Sequence, residues 1–110
     1  MKKPLSASLL VATLLLPGAL FAADAKDNWD QLCAKCHGAD GAGKTKIGLK
    51  LKVKDYTDPK VQSELTDEQI AKVTADGSSK DGKVLMKGFK DDLTPADITA
   101  LVTFIRQMKK

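Results

Sequence analysis

The sequence predicts an all-α domain with about three main helices and long irregular segments between them. Two segments, opening at Thr66 and Thr94, combine an N-capping residue with apolar residues at helical spacing, and a further helix is expected over residues 25–34. No segment has the alternation of polar and apolar residues that indicates a strand. A chain of 110 residues has room for one such domain.

The first 22 residues have the pattern of a secretory signal peptide. Lys2 and Lys3 precede an apolar run, and small residues follow it up to Ala23. A membrane-spanning helix would need about 20 apolar residues, and Pro17 and Gly18 interrupt the run before that length. We therefore expect residues 1–22 to be removed on export.

Small residues would permit cleavage after Ala22 or after Ala25. We expect the cut after Ala22, because a cut after Ala25 would remove Asp24, a good N-cap for the first helix. The remaining single domain, residues 23–110, has sixteen Lys and Arg against fourteen Asp and Glu, a net charge of +2. Its basic residues are dispersed and its aromatic residues few, so nucleic-acid binding is not expected. We expect a monomer without a membrane span after cleavage.

The first helix is predicted to turn Trp29 and Leu32 inward. The glycine-rich residues 38–59 that follow show neither the strand nor the helix period, and we expect an Ω-like loop with a short turn. So long a loop in a small domain normally needs something to fill the space behind it.

The second helix is predicted to begin at a capping box opened by Thr66 and to end at Gly77. Residues 78–88 are expected to form a second irregular segment that turns at Asp81. The third helix is predicted to open at Thr94, with proline in its first turn. The apolar stripe of this last helix comprises Ile98, Leu101, Val102, Ile105 and Met108.

Cys33, Cys36 and His37 form a C-x-x-C-H motif, the pattern of covalent c-type haem attachment. Two thiols three residues apart on one turn can bond two carbons of the same porphyrin, and the adjacent imidazole then lies beneath the iron. A structural zinc site would need four ligands, but the sequence has only these two cysteines and one histidine. A thioredoxin-like pair would need a βαβ setting, and a disulfide would leave His37 unexplained. We therefore predict one covalent haem c at this motif.

The second axial ligand of the iron cannot be a histidine of this chain, because His37 is the only one. Met86 and Met108 are the only methionines after the signal peptide. Met86 lies in the irregular segment, where a loop can direct its thioether at a buried iron, whereas Met108 continues the apolar stripe of the last helix. We predict His37 and Met86 as the iron ligands, with lysine, water or an open position as the alternatives.

Beyond the motif, the chain resembles the class I cytochromes c of the small bacterial monohaem type over all of residues 23–110. Trp29 stands four residues before the first cysteine, where the family has an aromatic residue, and Ala25 stands where it usually has glycine. Leu101 and Phe104 match the family's Leu-x-x-aromatic pair in the last helix. The resemblance implies a small cytochrome c fold, with about three main helices wrapped around one haem.

Two positions depart from the family's pattern. Lys87 replaces the proline that usually follows the ligand methionine, so the loop around Met86 is expected to be less rigid. Leu49 stands where the family commonly has a proline whose carbonyl accepts the imidazole N–H, a bond that any backbone carbonyl can make. The resemblance also implies that Tyr56 reaches a haem propionate, the alternative being a half-buried loop tyrosine.

Histidine and methionine together fill both axial positions and favour reduced iron. They imply a one-electron carrier rather than an enzyme, working between redox partner proteins outside the cytoplasm, in the bacterial periplasm.

A positive rim around the haem edge would attract acidic partners. Its residues are Lys35, Lys83, Lys87 and Lys90, with Lys44 and Lys46 near them. The alternatives are a ligand-binding or sensor haem protein with a displaceable Met86, and a dedicated haem subunit of an oxidoreductase complex.

Overall fold

A computed structural model describes residues 17–110, in which helices dominate and one short hairpin is the only sheet. In chain order the elements are α1 (Pro17–Leu32), α2 (Ala34–His37), α3 (Lys46–Leu51), α4 (Pro59–Glu64), α5 (Asp67–Asp76), β1 (Ser78–Lys80), β2 (Lys83–Met86) and α6 (Pro95–Arg106). Most of the predicted signal peptide, residues 1–16, lies outside the described residues. None of the helices from residue 17 onward has the length and apolar character needed to cross a membrane.

Helix α1 is longer at its N-terminal side than the sequence predicted. It begins at Pro17 and continues through Asp24 without a break. The prediction of Asp24 as an N-cap concerns the chain cut after Ala22 and stays a prediction, because in the uncut chain the helix begins earlier and a cap is needed only where a helix begins. At its other end α1 stops at Leu32, and the backbone N–H of Cys33 still donates to the carbonyl of Trp29 at 2.9 Å.

The core forms where α1 packs against α6. Ala25, Trp29 and Leu101 are each 1% exposed, and the small side chain of Ala25 lets the two helices approach closely. The Phe104 ring packs against this core, with its centroid 5.8 Å from that of Trp29. The crossing implied by the family resemblance is confirmed.

The second and third predicted helices are confirmed as α5 and α6, including their starts. Thr66 and Gln69 exchange side-chain bonds with each other's backbone N–H at 3.1 and 2.9 Å, and Thr94 and Asp97 do the same at 3.1 and 3.0 Å. Each exchange satisfies two N–H groups that have no partner inside the helix. Helix α5 ends at Gly77, as predicted.

Two short helices and the hairpin differ from the sequence prediction. The glycine-rich segment contains α3, in line with the expected short turn, whereas α4 was not predicted; Asp58 caps it and Pro59 occupies its first position. The expectation of no strands is wrong for residues 78–86, because strands of three and four residues are too short to reveal their alternation. The turn is where it was predicted: Asp81 and Gly82 have φ of 52° and 76°, as the tight turns of two-residue hairpins require.

Candidate functional site

The C-x-x-C-H motif begins at Cys33, the residue between α1 and α2, and its other four residues form α2. The backbone N–H of His37 donates to the carbonyl of Cys33 at 2.9 Å, so the motif is one compact helical turn. The Cys33 thiol is buried and that of Cys36 is half-buried, and no disulfide joins them. Burial raises the pKa of Cys33 to about 11. Both sulfurs are therefore free for the covalent attachment that the sequence predicts.

Three hydrogen bonds from residues outside the motif hold its backbone and that of Gly38, the residue that follows it. The indole N–H of Trp29 donates to the carbonyl of Gly38 at 2.9 Å, and the Thr45 hydroxyl donates to the carbonyl of Cys36 at 2.6 Å. The N–H of Gly43 donates to the carbonyl of His37 at 2.8 Å. These bonds fix α2 against α1 and the glycine-rich segment, so the directions of its side chains are preset.

His37 is 9% exposed and lies between two aromatic rings. Its ring is stacked on Tyr56, with centroids 5.4 Å apart and an interplanar angle of 18°, and it lies 5.6 Å from Trp29. Burial lowers the pKa of His37, which favours the neutral imidazole that a metal ion requires. Its Nδ1 is buried without a hydrogen-bond partner among the described residues, so Leu49 does not supply the expected carbonyl.

A cavity of about 320 Å³ opens beside His37. Most of its lining is apolar, contributed by Leu51, Val53, Leu65, Ile70, Val73 and Leu101 among others. Cys33, His37 and Met86 also line it, although they come from α2, the turn before it and the end of β2. The fold thus brings together a thiol, an imidazole and a thioether that are separated by up to 53 residues in the sequence.

The two methionines have different surroundings. Met86 is half-buried and lines the cavity. Met108 packs instead against Gly41, where an added Cβ would collide with its sulfur. Met108 is not part of the cavity lining, which agrees with its predicted role in the apolar stripe.

The residues around the cavity fit a haem. An apolar, partly enclosed space suits a porphyrin, a neutral imidazole with a buried nitrogen and a thioether suit its iron, and Cys33 lies beside both. No group of three or more His, Cys, Asp or Glu side chains with metal-binding geometry occurs in the part of the chain that the structure describes.

Two lysines lie at the cavity, and the sequence pattern indicated neither of them. Lys52 and Lys54 line the cavity itself. Lys52 has a left-handed backbone conformation, with φ of 56°, at the end of α3, and nothing in the sequence pattern indicated this turn. The six lysines of the predicted rim are all exposed, and two of them have an acidic neighbour: Lys87 is 3.4 Å from Asp92 and Lys90 is 4.0 Å from Asp76.

Comparison with known proteins gives one family and close structural relatives. The family model described as cytochrome c oxidase, cbb3-type, subunit III matches residues 21–105. A solved structure of the KustC0563 c-type cytochrome is 33% identical, with a TM-score of 0.71 over 79% of this chain and 99% of that chain. A mutant of the same protein is 32% identical, with a TM-score of 0.68 over 78% of this chain and 99% of that one. No curated protein sequence matches the chain.

Proposed function

Because the chain belongs to the c-type cytochromes, in the family of cytochrome c domains that the cbb3-type subunit III model describes, we propose that it is a one-electron carrier. Its cofactor is a covalently bound haem c with iron, and a cytochrome c domain implies redox partner proteins. The haem iron supplies a reversible one-electron couple. We propose that Cys33 and Cys36 form the two thioether bonds and that His37 is the proximal ligand.

The single observation that supports this proposal best is the convergence of Cys33, His37 and Met86 on one apolar cavity. His37 is oriented by its stacking on Tyr56 and by the bonds that fix α2. Met86 provides the distal thioether in this proposal. A soft thioether opposite an imidazole favours reduced iron, so the potential should exceed that of a site with two histidines.

The surroundings of the site favour electron transfer over catalysis. Trp29 and Leu101 are fully buried and the remaining cavity wall is mostly apolar, so water has little access behind His37. If His37 and Met86 both held the iron, no position on it would remain for a substrate. The chain is therefore proposed to be a carrier and not an enzyme.

The partner is proposed to present an acidic surface. Lys52 and Lys54, which line the cavity, give it positive charge. Charge of one sign around a site steers oppositely charged partners toward it. We propose that the carrier is an exported monomer of the bacterial periplasm, formed by cleavage of the signal peptide after Ala22.

A second candidate function is a dedicated relay within an enzyme complex. The matched family model is described as an oxidase subunit, and this description is the observation that supports the second candidate. Co-purification at moderate salt distinguishes the two: a relay remains with its complex, whereas a free carrier is recovered alone. A third candidate, a gas-binding haem sensor, is favoured by Lys87, which replaces the proline that would stiffen the Met86 loop.

Optical spectra of the exported protein in both redox states test the proposal. Covalent haem must persist through denaturation in acid and acetone, and the oxidised form must show the weak far-red band of a thioether–iron bond. The reduced form should bind carbon monoxide slowly and weakly. Free thiols titrating at Cys33 and Cys36 in the exported protein would refute the attachment, and immediate binding of carbon monoxide would favour the sensor.

A further inference from the structure

Met86 is the last residue of β2, and the next residue is Lys87 rather than a stiffening proline. The contacts that the Lys87 side chain makes are weak. It lies 3.4 Å from Asp92, with both side chains exposed, and 5.6 Å from the Phe89 ring. Exposed pairs of this kind contribute little to stability, because solvent screens them. Another part of the structure must therefore hold the segment that bears the thioether.

Gly88 lies directly against the last turn of α5. A Cβ built on Gly88 would come 2.5 Å from the carbonyl oxygen of Ala75 and 2.6 Å from the carbonyl carbon of Asp76. Both are backbone atoms at the end of α5, and the Ala75 carbonyl already accepts the N–H of Lys90, so they cannot move aside without disturbing that bond and the last helical turn. Any side chain at position 88 would push the segment after Met86 away from α5.

Gly77, at the end of α5, lies against the backbone of Met86 and Gly88. Its φ is +76°, a conformation that favours glycine. A Cβ there would collide with the carbonyl oxygen of Met86 and lie 2.7 Å from the N of Gly88. The close approach thus depends on two glycines, one at each chain segment.

Two backbone hydrogen bonds join the segment after Met86 to the end of α5. The N–H of Phe89 donates to the carbonyl of Thr74 at 2.9 Å, and that of Lys90 donates to the carbonyl of Ala75 at 3.2 Å. Helix α5 also supplies Ile70, Val73 and Thr74 to the cavity lining. The segment after Met86 is therefore attached to the helix that forms the wall of the cavity.

We infer that Gly77 and Gly88, with the two bonds to the end of α5, form a backbone clamp that positions the Met86 thioether toward the haem iron in place of a proline. This inference rests on the proposed ligation by Met86. Gly88 acts as a positioning residue, since it contacts α5 and not the cavity.

The experiment compares three haem-containing variants with the wild-type protein. Gly88→Ala introduces the clash at the clamp. Gly82→Asn changes the turn of the same hairpin, where a Cβ meets nothing within 4 Å and asparagine tolerates the positive φ. Gly41→Ala, at φ +78°, strains the backbone against the flexible Met108 side chain and serves as a destabilised control remote from the hairpin.

Gly88→Ala should lose the far-red band of the oxidised form and should bind carbon monoxide rapidly when reduced, while both control variants keep the band. Should Gly88→Ala yield no haem-containing protein, Phe89→Ala decides in the same way, because it removes the ring that packs the clamp against the core. Retention of the band and of slow carbon monoxide binding in the clamp variants, with a normal wild-type band, would overturn the clamp alone. Absence of the band from the wild-type protein would overturn the proposed ligation and the clamp together.

Discussion

The indole Nε1 of Trp29 donates a 2.9 Å hydrogen bond to the carbonyl of Gly38, the residue that directly follows the C-x-x-C-H motif. The same side chain is 1% exposed and packs beside the rings of His37 and Phe104. Trp29 thus joins the α1–α6 crossing to the segment proposed to bind the haem. Stability of the fold and geometry of the site are coupled at this one residue.

Trp29→Phe should lower the free energy of unfolding by about 1–3 kcal/mol, because it leaves the buried Gly38 carbonyl without its donor and opens a small void. Denaturant titration of the haem-containing protein measures this. Phe104→Leu is the control: it reduces packing at the same crossing and breaks no hydrogen bond, so it should cost less. An equal loss in the two variants would contradict a specific role for the indole N–H.

The parts of the fold that could be predicted from the sequence are those with local chemical signatures. Thr66 and Thr94 show the starts of α5 and α6 because capping is encoded within four residues. The hairpin turn could also be predicted, because its signal, Asp81 followed by Gly82, is contained in two adjacent residues. Helix α4 also has a local signature, Asp58 as the cap followed by Pro59, but it is too short for periodicity to support that signal. The two strands are too short for periodicity as well.

The site shows the same division. The motif of Cys33, Cys36 and His37 is local, so the sequence alone predicts haem attachment there. Elimination among the other possible ligands then favours Met86 as the distal ligand, and both assignments stay predictions. The placement of Lys52 in the cavity lining depends on a left-handed backbone turn after α3, and the unpartnered Nδ1 of His37 depends on how the following loop folds. Neither has a signature in the sequence around it.

Arg106 is predicted to stabilise the cavity wall through backbone carbonyls more than through its ion pair. Its guanidinium donates to the carbonyls of Gln62 and Leu65 at 2.7 and 2.6 Å, and to Asp67 at 2.8 Å. Arg106→Lys cannot satisfy both carbonyls and should lower the free energy of unfolding by about 2 kcal/mol. Asp67→Asn removes only an exposed pair and should cost less than about 1 kcal/mol. Thermal unfolding of both variants checks the order, and the reverse order would refute this explanation.

Replacing the two methionines should separate their roles. Met86→Ala should abolish the far-red band, lower the reduction potential and open the reduced iron to carbon monoxide, because the thioether is lost. Met108→Leu keeps the apolar contact over Gly41 and should leave all three properties unchanged. Spectroscopy and redox titration measure them. If Met108→Leu rather than Met86→Ala abolished the band, the assignment of the distal ligand would be wrong.

Asp55 should make a small contribution to stability that disappears in acid. Its carboxylate accepts hydrogen bonds from the hydroxyl and N–H of Thr57 at 2.5 and 2.9 Å, and these bonds, with the charges of Lys44 and Lys110, hold its pKa below the ordinary 3.8. Since the folded pKa is the lower one, the contribution is fully present above the unfolded pKa and is lost as the pH falls through the folded value.

Thr57→Val removes the hydroxyl donor and should raise the pKa of Asp55 toward 3.8, as measured by NMR titration of its carboxyl carbon. The variant should also lose less stability than the wild-type protein between pH 5 and pH 2. An unchanged Asp55 pKa would show that the hydroxyl is not the cause of the shift.

Electron transfer with small charged reagents should reveal the positive opening of the cavity without knowledge of the natural partner. The rate constant with anionic ferricyanide should fall as ionic strength rises, because screening weakens the attraction to Lys52 and Lys54 at the cavity. With a cationic cobalt complex the rate constant should rise instead.

Lys54→Glu should lower the ferricyanide rate about fivefold at low salt and much less at high salt. Lys109→Glu changes the same charge at an exposed position outside the cavity lining and should have a smaller effect. Equal effects of the two substitutions, or rates independent of salt, would show that net charge alone acts and that the opening does not steer its partners.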